Sequence, residues 1–362
     1  MNFYDIKEDW PRVKKRWEAW WDFDLYDRPL IVVKAPRKNP VLPPELADFR
    51  REDYGSRRNF DDPGYITSAK LHELYTTYYG GESVPVLTYG GSVGHALTFG
   101  CEPIFRPESI WAHELPVNDG ADYPEIRFDE SNYWWLSLRG TVEQTARASE
   151  QRYWSSAMLG NSSGDNLSIC RGSERMLLDL VENPDWVRKS VKYISDAMRK
   201  QFDALYGLTP LTGLEGYVNY VECWSPKKTH GFDADFSCMI SSEMYRDIFL
   251  PPLIETMSMT EHRIYHLDGV LAAMIHLDTL LDIDELHAFQ WIPGDGRWEA
   301  LQWLPVMQKM QARRKSVFCY ASPDEVIPLL RELRPEGLCI STNTASEDEA
   351  RRLVERVERM YK

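Results

Sequence analysis

"IYHLDGVLAAMIHLD", residues 264–278, places a histidine and an aspartate one residue apart where a strand-like run meets a helical one. Ile264 and Tyr265 are β-branched and aromatic, as a strand prefers. From Val270 onward the apolar residues recur at helical spacing. His266 and Asp268 therefore stand at the C-terminal end of a strand, immediately before a helix.

The same rhythm continues on both sides. "SSEMYRDIFLPPLIETMSMTEHR" (241–263) reads as a helix with Ser241 or Ser242 as N-cap and a Pro-Pro bend. "HAFQWIP" is strand-like and ends at the turn signal "GDG" (294–296). "WEALQWLPVMQKMQARR" is helical, "SVFCYA" a strand, and "SPDEVIPLLRELRP" a helix with Ser322 as N-cap and Pro323 at its first position. "EGLCIST" is the last strand, and "SEDEARRLVERVERMYK" a closing helix with acids in its first turn. Strands are thus expected near 264, 287, 316 and 336, each followed by a helix. This alternation implies parallel strands with right-handed crossovers. Over a chain of 362 residues it favours a (β/α)8 barrel, a TIM barrel of the α/β class.

The first half is less regular. "DRPLIVVKAP" (27–36) looks like an early strand, and "EGYVNYVECW" (215–224) like the strand before the 241–261 helix. Residues 171–206 form two helical stretches joined at Asn183-Pro184. An amphipathic helix begins near Pro11, so residues 1–26 read as an N-terminal helical extension of a single domain spanning 1–362. Its tryptophans, Trp10, Trp17, Trp20 and Trp21, offer a surface for a second subunit of a homo-oligomer.

Composition narrows the function. A net charge of −14 argues against nucleic acid, whose phosphates call for Lys and Arg. Residues 231–300 hold 13 acids against three arginines, either a set of solvated faces or a region that favours a metal or a cationic substrate. No apolar run is long enough to span a membrane, and the first residues lack a signal-peptide pattern. Six scattered cysteines fit reduced thiols, so the expected location is cytoplasmic. No GxGxxG or GxxxxGK[ST] motif opens a helix, and "YGGSVGHALTFG" (89–100) reads as a turn or loop.

In a βα barrel, residues at strand C-termini share one mouth. His266, Asp268 and, from "GLCIST", Cys339 are expected there, and imidazole, carboxylate and thiolate suit zinc. Glu222, or Cys223, is the candidate further ligand. Each has a plainer reading: His266 as a core histidine, Asp268 as a turn residue or N-cap, Cys339 as a small buried hydrophobe. His230 and Asp235, in "THGFDADFS", are candidate acid–base groups on a mouth loop. Tyr220, Trp224 and Trp291 are candidates to stack on a flat substrate or to fill the core. Arg171 is a candidate to hold a carboxylate or phosphate, or to cap a helix. His276 reads as structural.

From about residue 165 to 355 the chain resembles the uroporphyrinogen decarboxylase superfamily, on "LSICRGSERMLLDLVENPDWV", "CMISSEMYRDIFLPPLIE", "YHLDG" and "GLCIST". The resemblance implies a (β/α)8 barrel with one of two chemistries. One is metal-free decarboxylation of a carboxylated tetrapyrrole. The other is zinc-dependent methyl transfer between a small O- or N-methyl compound and a thiol or a corrinoid carried by a partner protein. In the zinc branch a His-x-Cys pair and a distant Cys bind the metal. His266 matches the histidine and Cys339 the distant cysteine, but Asp268 stands where the pair's Cys is expected. The decarboxylase branch has an Arg-rich loop after its first strand, where this chain offers only Lys34, Arg37 and Lys38. The expectation is a metal-dependent methyltransferase, with a decarboxylase-type lyase or a non-catalytic ligand-binding barrel as alternatives.

Overall fold

The computed structural model describes residues 2–89, 93–118, 120–156, 162–269, 272–293 and 299–362. Nine strands organise it: β1 Leu30–Pro36, β2 Thr77–Gly81, β3 Val86–Leu87, β4 Trp154–Ser155, β5 Thr229–Phe232, β6 His262–Asp268, β7 Ala288–Ile292, β8 Ser316–Tyr320 and β9 Leu338–Asn343. Two short antiparallel hairpins, Pro103–Arg106 with Ser109–Ala112 and Tyr217–Val218 with Trp224–Ser225, lie outside this set.

Strands β5 to β9 pair in chain order, all parallel, and β9 pairs with β1 in the same sense. The last strand beside the first is the order a closed βα barrel requires. β3 and β4 form a separate parallel pair. The free edge of β1 is taken by antiparallel β2. Among the described residues, hydrogen bonding therefore gives a mixed α/β architecture with a parallel central sheet, in two arcs instead of one closed ring. β3 and β4 are two residues each, too short to extend the ladder to both neighbours.

The period of two along each strand divides the core. In β6, Tyr265 and Leu267 pack among the helices with Phe289, Trp291 and Ile340. Ile264 faces the other way, with Leu30, Val32, Ala288, Phe318 and Cys339. Val86 of β3 and Trp154 of β4 belong to that same cluster, so both arcs share one interior.

The N-terminal helix Trp10–Trp21 covers the strands' N-terminal edge. Trp10, Trp17, Trp20 and Trp21 are buried within this chain, so they are not a free surface for a second subunit. Trp21 stacks on His262, its Nε1–H donates to the Trp224 carbonyl at 2.8 Å, and the Ser316 hydroxyl donates to the Trp20 carbonyl. Both His262 and Ser316 are the first residues of their strands. The helix is anchored by a buried ionic network. Glu82 accepts from Arg16 at 2.8 Å, from Arg28 at 2.8 and 2.9 Å, and from the Ile31 N–H at 2.8 Å.

Elsewhere the expected elements form with local differences. Ser241 caps the helix from Ser242, which passes through a π-helical segment at Tyr245–Phe249 before the Pro-Pro pair. The "GDG" turn lies outside the described residues. The 215–224 run is a hairpin instead of a strand of the parallel sheet, and β5 takes that place.

Glu82→Gln is expected to destabilise the fold by about 3–5 kcal/mol, because it leaves two buried guanidiniums short of charge; chemical denaturation at pH 7 measures this. Arg16 and Arg12 hold Asp27 down to about 2, against an ordinary 3.8. A depressed carboxyl stabilises above its unfolded value, so this contribution is full above about pH 4 and lost between about pH 4 and 2. Asp27→Asn should narrow the stability difference between pH 5 and pH 2.

Candidate functional site

The strand alternation that fills the lower interior with Leu30, Ile264, Ala288, Phe318 and Cys339 places polar groups two and four residues further along. In β6 these are His266 and Asp268, in β7 Gln290, in β8 Tyr320, and in β1 Lys34. His266 is in register with Gln290, and their side chains meet: His266 Nδ1 lies 2.7 Å from Gln290 Oε1. Gln290 Nε2 donates to the Tyr320 hydroxyl at 3.1 Å. With the amide N–H committed to Tyr320, its oxygen accepts from Nδ1–H. The His266 tautomer is thereby fixed with Nε2 as the acceptor nitrogen.

Carboxylates surround this imidazole. Asp235 begins the 3-10 turn Asp235–Met239 after β5 and is exposed. Restricted hydration and the nearby Asp165 push its carboxyl up to about 6, helped by Asp268 and opposed by His266. Asp165 is buried at the start of helix Ser163–Arg171. It closes a capping box with Ser162 and accepts from the Phe236 N–H at 2.6 Å, which fixes the loop that carries Asp235. Tyr220 lies against Gly231, in the field of Asp233, Asp235 and Tyr320. A Cβ at residue 231 would sit 2.2 Å from the Tyr220 ring, so glycine there is required for this packing.

Beyond Tyr320 the edge becomes basic. Glu222 sits at φ +68°, in a turn held by the Asn219 side chain, which accepts the Val221 and Cys223 N–H groups. Its carboxylate accepts from Lys34 Nζ at 2.6 Å. Lys70 Nζ donates to Glu73 at 2.6 Å, and the Tyr79 hydroxyl to the same carboxylate at 3.0 Å.

The structure brings His266, Asp268, Asp235 and Tyr220 together and sends the other expected residues elsewhere. Cys339 is the second residue of β9, not its end; it is wholly buried in the apolar layer with Leu30 and Phe318, and burial pushes its thiol up. Three strand steps separate it from His266, roughly 14 Å along the sheet at ~4.8 Å per step. Glu222 is held by Lys34, and Cys223 is buried in the lower core. Zinc needs its ligands on one point. Among the described residues no group of three or more His, Cys, Asp or Glu is so placed. His266, Cys339, Asp268 and Glu222 do not fit a common ion.

His230 lies inside β5, packed against Phe202 and Phe232; burial, with His95, lowers it to about 3, so it is neutral and not a mouth-loop acid. Trp224 belongs to the N-terminal tryptophan cluster. Trp291 faces the helices and packs on Trp303. Arg171 pairs with buried Asp179 at 2.7 Å and lies over Tyr123 and Trp186. His276 is structural, its Nε2 2.9 Å from the Ser237 carbonyl. Sequence reading missed Asp165, Gln290, Tyr320 and Lys70. Only Gln290 carried a usable signal, the parity of its strand.

Gln290→Leu is expected to convert His266 from the Nδ1–H form to a tautomer mixture, read from imidazole nitrogen shifts in NMR. Asp235 has a raised carboxyl, so its burden on stability is absent below about pH 4 and grows as pH rises through about 6. Asp235→Asn should therefore raise the melting temperature at pH 8 and lose that advantage by pH 4.

No protein-family model matches the chain, and no curated protein does. Among solved structures, a methyltransferase from Methanosarcina mazei is similar to it, with a TM-score of 0.61 over 96% of this chain and 98% of that one. Sequence identity is 13%, so what the two chains share is the fold.

Proposed function

We propose that the chain is a methyltransferase that takes a methyl group from a small O- or N-methyl compound at the mouth around His266, Asp235 and Asp268. The observation that carries this reading is the His266–Gln290–Tyr320 chain, which leaves one oriented imidazole nitrogen among carboxylates. Full-length likeness of fold to a methyltransferase supports it. The acceptor in this proposal is a thiol or a corrinoid held by a separate protein.

With a thiol acceptor the residues have defined tasks. His266 Nε2 takes the S–H proton, the sulfur forms a bond to the methyl carbon, and the carbon–heteroatom bond breaks. A leaving oxygen takes a proton from Asp235, whose raised carboxyl retains one more readily than an ordinary aspartate. A leaving amine departs neutral, and Asp268 and Asp235 balance the positive charge of its methylated precursor. Zinc, where supplied, would need ligands other than the set that fails to converge.

The test is release of label from carbon-13 methyl donors to a thiol or to an added corrinoid protein. His266→Ala and Asp235→Asn are each expected to slow transfer by roughly 10²-fold or more. Release of carbon dioxide from a carboxylated donor, without methyl transfer, would overturn the proposal. About one zinc per chain by mass spectrometry, lost in His266→Ala and Asp268→Ala, would replace the acid–base reading with a metal-centred one.

A further inference from the structure

A cleft of about 630 Å³ opens beside the end of β1, lined by Lys34, Arg51, Lys70, Glu73, Glu222 and Asn343, among others. It runs on through Arg51, Lys70 and Glu73 into a second space of about 170 Å³ walled by Tyr54, Phe60 and Ile66. Its size suits a small organic ligand. Three cations face two carboxylates there, an excess of one positive charge in a chain of net charge −14. Lys70 is only 4% exposed, and its nearest carboxylate is shared with the Tyr79 hydroxyl. Burial lowers the Lys70 ammonium, and the charge of Lys34 lowers it further, so two ammonium groups repel each other across the cleft. Arg51 is exposed and makes no ion pair or side-chain hydrogen bond among the described residues.

Around the end of β6, four strand steps from β1, the imbalance is reversed. Asp165 and Asp268 both repel the carboxylate of Asp235, against the pull of His266, and Tyr220, near Asp235, and Tyr320, near Glu222, lie between the two groups. A monoanion in the cleft relieves the lysines, and a cation near Asp235 relieves the carboxylates, with tyrosine faces available to it. Lys34 on β1 and His266 on β6 are four strand steps apart, so one ligand serving both needs its charges several bonds apart.

We infer that the cleft around Lys34, Lys70 and Arg51 binds the carboxylate of a zwitterionic substrate whose methylated ammonium end lies at Asp235 and Asp268. This names a substrate class, an ω-trimethylammonio carboxylate, and it rests on the proposed methyl transfer only for the word substrate.

Calorimetric titration of the full chain with three probes tests it. 4-(Trimethylammonio)butanoate carries both charges, 5,5-dimethylhexanoate replaces the ammonium by neutral carbon, and propyltrimethylammonium lacks the carboxylate. The zwitterion is expected to bind at least roughly tenfold tighter than either partial analogue. Arg51→Gln, at an exposed position, should weaken the zwitterion several-fold and leave propyltrimethylammonium unchanged. Glu73→Gln, by freeing Lys70, should tighten it. Equal affinity for the neutral-carbon analogue, equal affinity for propyltrimethylammonium, no saturable binding of any probe, or indifference to Arg51→Gln each overturns the inference. The expected binding pattern without methyl loss from the zwitterion upholds the inference and sinks the methyl-transfer reading instead.

Discussion

One buried carboxylate ties three parts of the chain. Glu82 takes donors from Arg16 on the N-terminal helix, from Arg28 just before β1, and from the backbone of β1 itself. A charge so deep is tolerable only when fully paired and hydrogen-bonded, which its three sets of partners achieve. Because Glu82 follows β2 directly, the network fixes the helix, β1 and the antiparallel edge in one arrangement. β1 in turn pairs with β9, so the order of the whole parallel arc depends on the same group.

Each strand then divides its interior-facing positions by height. The lower ones are apolar and are closed off by tryptophan; the upper ones carry charge or a hydrogen-bonding group. Asp268, Tyr320 and Lys34 differ in chemistry but all lie toward the C-terminal ends of their strands, and two or four residues separate each from an apolar residue on the same face of its own strand. The strand-borne part of the site is thus a product of strand parity, and the cost of its polarity falls on Asp235, whose carboxyl is raised beside Asp165 and Asp268.

Parity also explains what was legible in the sequence. Residues 241–362 alternate cleanly, with Ser241 and Ser346 as true caps, and the parallel strands were readable there. His266 and Asp268 stand at the end of β6 as the sequence predicts, because a strand-to-helix junction marks itself. Cys339 is expected at the end of the last strand, but β9 continues to Asn343, which puts the thiol in the lower layer. Trp291 failed on parity, since Gln290, its neighbour, is the residue in register with His266. β3 and β4 are too short to leave a periodic signal, and Asp165 looks in sequence like an ordinary helix-capping acid. Lys70 is invisible for a different reason, because a lone lysine in a helix gives no sign of being buried.

The helix Trp10–Trp21 is made long before it is fully covered. Its carbonyl at Trp20 waits for the hydroxyl of Ser316, 296 residues later in the chain. At roughly 5–20 residues per second, the ribosome needs on the order of 15–60 s to deliver that partner. During that interval the helix is covered only in part, by Glu82, Trp154 and Trp224 as each is made, and the rest of its apolar face is available to holdase chaperones or to neighbouring nascent chains. A chain built this way trades a slow, exposed synthesis for a sealed base once the final strands arrive.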